Sequence, residues 1–276
     1  MRLMTKIQGL LAFGMATAMA GSVSAQALET IGHPVAKAMG FQPPVTSIAV
    51  EAQNLDHMLL YIITAIVIFV TALLAYVAVR FNAKRNPVPA KFTHNSPLEV
   101  AWTLIPILIL VFIGSFSLPA LFHQEEIPVA DITIKATGNQ WYWSYEYPDA
   151  GISFDAVMLE KDQLVPAGYA ESDYLLATDN AVVIPVNKVI VVQVTGADVI
   201  HAWAMPSFGV MNSAVPGRLG QMWFKAEKEG IYFGQCTTLC GQNHAYMPIT
   251  VKVVSQEAYD KWVEGAKTGN FTLASN

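Results

Sequence analysis

The stretch Ile231-Tyr-Phe-Gly-Gln-Cys236-Thr-Thr-Leu-Cys240-Gly-Gln-Asn-His244-Ala-Tyr-Met247-Pro248 holds both cysteines of the chain. They lie between two runs rich in β-branched or aromatic residues, Ile231–Gln235 and Tyr246–Val254, which read as strands. The default fate of two cysteines in an exported protein is a disulfide. Four residues apart, these two would close a very small loop and constrain little of the unfolded chain. His244 follows four residues after Cys240, Met247 comes three later, and His201 in an upstream strand supplies a second imidazole. Thiolate, imidazole and thioether form a soft-to-intermediate donor set that suits copper better than zinc, calcium or magnesium. One cysteine with two histidines and a methionine would make a single-copper electron-transfer site. The second cysteine lets a tight loop present two thiolates to one point, where each can bridge two metal ions. Two bridging sulfurs, two imidazoles, one weak thioether and one loop carbonyl would then complete two copper centres. That arrangement suits one-electron transfer and leaves no open position for a substrate.

Outward from this loop, residues 123–276 read as an all-β domain. Ile132 and Ile134 alternate with polar neighbours, and Trp141-Tyr-Trp143-Ser-Tyr145-Glu146-Tyr147 places aromatics at every odd position. Val182–Val186, Val189–Val194, Val199–Trp203 and Leu219–Phe224 add further short runs, most of them separated by turn signals such as Pro148-Asp149, Thr195-Gly196 and Glu229-Gly230. Many short strands predict a sandwich or barrel. A short C-terminal helix is expected from Ser255 as N-cap to near Gly269.

The first half of the chain is of a different kind. The protein is 53% hydrophobic and 13% charged, with a mean hydropathy of +0.39, too apolar for an ordinary soluble chain of 276 residues. Residues 1–25 read as a signal peptide: Arg2 and Lys6, then a short apolar core, then Val23-Ser24-Ala25 as a small-residue cleavage site. Residues 26–55 show no clear periodicity and are expected as an exported lead, with room for a short helix. Residues 56–122 predict a transmembrane hairpin, with helices at about 58–80 and 98–122 and a loop over 81–97. Met58 to Val79 has no charge and would rise about 33 Å as a helix, enough for a hydrocarbon core of about 30 Å. Pro106 and Pro119 in the second helix are tolerable in a membrane. Arg80, Lys84, Arg85 and Lys91 between the helices place this loop in the cytoplasm by the positive-inside rule, which agrees with the signal peptide. Both termini and the β domain are then expected on the periplasmic side of a bacterial inner membrane. The net charge of −5 argues against nucleic acid as a partner. From His123 onward 17 acidic face 9 basic residues, a net of −8, which suits either a basic partner or a solvated surface.

With these residues in place the sequence resembles subunit II of haem-copper cytochrome c oxidase. The resemblance is carried by the hairpin, Gly138-Asn-Gln140-Trp141 through Tyr147, Asp198-Val-Ile-His201-Ala-Trp203, Ala214-Val-Pro216-Gly217-Arg218 and Gly234 through Pro248. It implies a cupredoxin-like Greek-key domain with the binuclear copper centre CuA. His201, Cys236, Cys240, His244 and Met247 match the side-chain ligands, and Thr238 the backbone-carbonyl ligand. Trp141 matches the tryptophan through which cytochrome c delivers its electron. Asp198 and Glu146 match acidic docking positions for cytochrome c, and Glu99 matches the mouth of a proton-uptake path into subunit I. By charge alone, a carboxylate at a helix N-terminus is dipole stabilisation. The implied partners are the haem-bearing subunit I, subunit III, cytochrome c and membrane lipid. The implied function is electron entry for oxygen reduction coupled to proton translocation, with the oxygen-reducing site in subunit I and no catalytic residue in this chain.

The sequence departs from that pattern near the loop. Thr238 stands where the family has a glutamate whose carboxylate reaches a magnesium ion at the subunit I boundary. Met211 and Ser213 stand where lysine and aspartate are common, so magnesium is expected to be absent, weakened or differently held. Asn139 replaces a common histidine. Three other readings compete. A thiol-redox or copper-delivery protein would place its essential histidine far downstream of the cysteines. A quinol-oxidase relative would lack the copper ligands, and a nitrous-oxide-reducing CuA protein would lack the hairpin.

Overall fold

The computed structural model describes residues 28–273, so the expected signal peptide lies outside the described residues. The chain opens with β1 (Thr30–Gly32), followed by helices α1 (Ser47–Arg80) and α2 (Ser96–Glu125). Each helix starts on a polar cap. Thr46 Oγ1 accepts from Ala49 N at 3.0 Å, and Asn95 Oδ1 accepts from Leu98 N at 3.2 Å. With 34 and 30 residues they extend about 50 and 45 Å, more than a hydrocarbon core needs. Among the described residues these are the two helices long and apolar enough to cross a membrane.

α1 begins at Ser47 rather than near Met58 because its first turns serve the β domain. Ile48 and Ala49 are buried there, with Ile48 packed against Val191 and Trp223. The Thr46 hydroxyl also donates to Phe208 O at 2.7 Å. α2 ends against the same region: His123 Nδ1 lies 2.9 Å from Glu51 Oε2, and Trp223 Nε1 donates to His123 O at 3.3 Å. The hairpin is therefore joined to the domain by packing as well as by the chain.

The domain then runs β2 (Ile132–Asn139), β3 (Tyr142–Tyr147), β4 (Ile152–Ala156), the one-turn α3 (Lys161–Leu164) and β5 (Val182–Pro185). It continues through β6 (Ile190–Gly196), β7 (His201–Met205), β8 (Val210–Ala214), β9 (Gly220–Phe224), β10 (Gly230–Cys236), β11 (Pro248–Val254) and α4 (Gln256–Ala266). One sheet has the order β5-β11-β10-β7-β8 with β1 beside β10, and the other is β4-β3-β2-β6-β9. The period-2 pattern decides which side of each strand is buried. In β3, Trp143, Tyr145 and Tyr147 turn inward while Tyr142, Ser144 and Glu146 face out. Buried Trp143, Trp203, Phe208, Phe224 and Tyr232 belong to the same core, each contributing a large apolar area. The buried hydroxyls keep partners: Trp203 Nε1 donates to Tyr145 Oη at 3.1 Å, and Tyr147 Oη donates to Val183 O at 2.9 Å.

The lead contributes more than expected. β1 pairs in parallel with the start of β10 (Thr30 with Ile231, Gly32 with Tyr232), whereas β7 reaches only its end (Gln235 with Ala204, Cys236 with Trp203). Two strands thus share one edge of β10, and three residues are too few to show a period. Ser255 caps α4, its Oγ accepting from Ala258 N at 3.2 Å, and the helix stops at Ala266, short of Gly269.

Candidate metal centre

One sheet brings the ligand candidates together at one end of the sandwich, through β7, β10, β11 and the loop between the last two. β10 ends on Cys236, and the loop after it returns through Cys240 and a single turn at His244–Tyr246 to enter β11 directly after Met247. β7, paired with the end of β10, opens on His201. Cys236 Sγ and Cys240 Sγ stand 4.0 Å apart as buried free thiols, far beyond the S–S bond of about 2.05 Å. Cys240 Sγ is 3.5 Å from Met247 Sδ and 3.6 Å from His244 Nδ1. The Thr238 carbonyl faces the same point, 3.3 Å from Cys236 Sγ. His201, Cys236 and Cys240 place their ligand atoms within 4.8 Å of one another, as a metal-holding group does. All six expected metal-binding positions therefore converge.

Two features of this cluster bear on metal binding. His201 is fully buried; its Nε2 lies 2.8 Å from Asp198 Oδ1, yet its buried Nδ1 has no hydrogen-bond partner. A buried ring nitrogen left unpaired is costly unless it holds a proton-free ligand bond. Burial, and after it the neighbouring Cys236, push the Cys240 thiol up to about 12, so protons must leave as a soft cation enters. The residues fit copper: two thiols, two imidazoles and a thioether are its preferred donors.

A polar layer behind the cluster fixes these side chains. Asp198 Oδ1 meets His201 and also accepts from Val199 N at 2.6 Å, while Oδ2 accepts from Gln140 N at 2.7 Å. Burial works to raise the Asp198 pKa, but the hydrogen bonds from His201, Val199 and Gln140 outweigh it and hold the carboxyl below its ordinary range. This turn also explains why β7 starts at His201 and not at Val199. Gln140 Nε2 donates to the Cys240 carbonyl at 2.8 Å, and Trp141 Nε1 approaches the same oxygen at 3.3 Å. Trp143 Nε1 donates to Met247 O at 3.3 Å. Sequence reading missed Gln140, which lies a hundred positions from its acceptor. It also missed the spatial reason for two glycines. A Cβ on Gly138 would sit 2.8 Å from the His201 ring, and one on Gly241, at φ +128°, would sit 2.9 Å from Trp141 Cζ2.

Other expected residues fall elsewhere. Trp141 is half-buried at the loop, beside the centre. Glu146 lies five residues along β3, about 16 Å away by strand rise, and its Oε1 is 2.7 Å from Lys135 Nζ. Glu99 is at the far end of the hairpin, where its Oε1 accepts from Asn95 N at 3.0 Å as part of the helix cap. Asn139 Nδ2 donates to Ser144 Oγ at 3.1 Å and Thr137 O at 3.2 Å, a local tie that does not reach the centre.

A two-helix membrane hairpin carrying a cupredoxin-like β domain, with a thiol, imidazole and thioether cluster at one end, defines a class of membrane-anchored proteins with a candidate metal centre. The family description "Cytochrome C oxidase subunit II, transmembrane domain" matches residues 34–120, and "Cytochrome C oxidase subunit II, periplasmic domain" matches 132–254. Cytochrome c oxidase subunit 2 of Cereibacter sphaeroides is 56% identical over 278 residues, spanning 96% of this chain and 92% of the relative. A probable cytochrome c oxidase subunit 2 of Rickettsia bellii (strain RML369-C) is 48% identical over 250 residues, 88% of this chain and 91% of that one. A crystal structure of the periplasmic domain of subunit II of cytochrome oxidase of Bradyrhizobium japonicum is 54% identical. It covers 52% of this chain and 99% of its own, with a TM-score of 0.48. The chain belongs to the cytochrome c oxidase subunit II family, and it is a membrane protein with two spanning helices.

Proposed function

We propose that this chain is the electron-entry subunit of a respiratory oxidase, taking electrons from cytochrome c and delivering them to haem in subunit I, where oxygen is reduced to water and protons are translocated. The observation that carries this reading is the convergence of two free thiols with His201, whose buried Nδ1 has no hydrogen-bond partner. Cys236, Cys240, His201, His244, Met247 and the Thr238 carbonyl would hold the two copper ions of a CuA centre. When bound, the copper pair supplies a one-electron couple shared between two metals. The protein's own part is to hold its donors nearly fixed. Asp198 orients the His201 ring, and Gln140 and Trp141 tether the Cys240 backbone, so the donors need little reorganisation when charge changes.

Trp141, half-buried and bonded to the Cys240 carbonyl, is the proposed electron entry point. Asp198 and Glu146 are the proposed acidic docking positions for cytochrome c, within a domain of net charge −8. Glu99 is proposed at a proton-uptake entrance on the cytoplasmic face, opposite a periplasmic copper domain in a bacterial inner membrane. The hairpin would pack on subunit I, with subunit III beside it in the complex.

The full-length chain, purified in detergent, loaded with copper and oxidised, tests this reading by electron paramagnetic resonance. The expected spectrum shows one electron shared equally by two copper nuclei. A single-copper pattern, or no bound copper, would overturn the assignment.

A further inference from the structure

The loop that carries the thiols has a second face, and that face is uncharged. β8 presents Met211 and Ser213 outward, while Val210, Asn212 and Ala214 alternate toward the interior. Across the β7–β8 ladder Met211 stands opposite Ala204 and Ser213 opposite Ala202. The Ala202 carbonyl accepts from Thr237 N at 3.3 Å, and Thr237 Oγ1 donates to Met211 Sδ at 3.2 Å. These contacts set Met211 of β8 beside loop residue Thr237, with Thr238 next in the chain.

The subunit II family implies a magnesium ion at this boundary, anchored by a carboxylate at position 238. The residues here do not fit it. Magnesium demands a near-octahedral shell of hard oxygens and is held by one or two carboxylates. This face offers a thioether, neutral hydroxyls and the neutral amide of Asn212, whose Nδ2 donates to Gln221 O at 2.8 Å, and none of these is the carboxylate that anchors magnesium. Among the described residues, the one group of three or more His, Cys, Asp or Glu side chains able to hold a metal is His201 with Cys236 and Cys240, which is soft. An anionic ligand and the cation it binds also stand or fall together: losing the carboxylate removes the ion's anchor, and losing the ion removes the charge that would offset a buried carboxylate.

We infer that this chain supplies no magnesium anchor at Met211, Ser213 and Thr238. This rests on the proposed packing of the chain against subunit I. The complete oxidase, purified from cells grown with manganese replacing most magnesium and then washed with chelator, provides the test. Copper, magnesium and manganese are counted in one digest, and bound Mn²⁺ is sought by paramagnetic resonance. The expected result is full copper with magnesium and manganese together well below one ion per complex. One chelator-resistant magnesium or manganese ion beside full copper overturns the inference, whereas missing copper counts against the subunit reading beneath it. The triple variant Met211→Lys, Ser213→Asp, Thr238→Glu, assembled in the same complex, is expected to gain about one such ion. A triple variant as metal-free as the parent would overturn the assignment of the loss to these side chains.

Discussion

Where β10 runs into Cys236, the sandwich is held by polar contacts that cross long stretches of sequence. Asp198 meets His201 and Gln140, Gln140 meets Cys240, and Trp143 meets Met247. Where β3 runs into Tyr147, about 20 Å from Trp141 by strand rise, the contacts are aromatic. Tyr147 lies 5.3 Å from Trp262, and Phe154 packs against Trp262 and Phe271. The first end fixes the side chains of the proposed metal centre, and the second closes the core with apolar area under α4. A substitution at one end should therefore leave the other end's property largely alone. At the metal end binding suffers; at the aromatic end stability suffers.

Cys240→Ser attacks the first end most directly. It removes a thiol that three other donors approach within 4.0 Å. Copper affinity should fall by more than the roughly 100-fold expected even for losing a supporting group behind the ligands. Thermal unfolding of the metal-free protein should shift by no more than about 2 kcal/mol. Copper retained at full stoichiometry would erase the proposed division. Trp262→Ala is the counterpart. Removing that buried ring should cost about 3–5 kcal/mol in unfolding free energy, with copper uptake and the two-copper spectrum retained below the lowered melting temperature. A lost spectrum in a still-folded Trp262→Ala protein would show that the ends are coupled.

The same division governs what could be read from the sequence. Four of the five proposed side-chain ligands lie within Cys236–Met247, on one loop between two strands, so their chemistry is visible in local spacing. His201 was reachable because its strand carries a recognisable motif. The β character of Trp141–Tyr147 and the Ser255 cap were legible for the same reason, since each is set by neighbours a few residues apart. Gln140 was not legible, because its role is a bond to a backbone carbonyl across the fold. The early start of α1 was hidden too. Glu51, Asp56 and His57 interrupt the apolar run, and only packing of Ile48 against Trp223 explains a helix there. β1 needs the half-paired edge of β10 to exist at all.

Gln140→Leu asks whether the polar layer is part of the metal site or merely close to it. The substitution keeps the bulk, removes the amide donor and leaves Trp141 Nε1 as the sole side-chain N–H bonded to the Cys240 carbonyl. Copper affinity should drop by about 10-fold, the low end for a supporting group, with altered copper hyperfine splitting. Gln140→Glu should not restore it, since a carboxylate cannot donate. Unchanged affinity and hyperfine splitting in Gln140→Leu would reduce the layer to ordinary packing.

The smallest effect is expected from Asp198→Asn, which bears on the boundary between holding the metal and meeting a partner. The Asp198 oxygens are already engaged by His201, Val199 and Gln140, so any attraction to cytochrome c acts through charge and not through a new contact. Asparagine keeps the shape and one acceptor oxygen but removes the charge. Cytochrome c should then bind several-fold more weakly at low ionic strength. The deficit should close as salt rises, because a Debye length of about 10 Å at 0.1 M screens the interaction in both proteins. The slope of affinity against salt therefore becomes shallower in the variant. Copper content read on the same sample separates the two roles. If copper binding falls while the salt slope stays at the parent value, Asp198 belongs wholly to the layer that orients His201, and the docking proposal fails at that position.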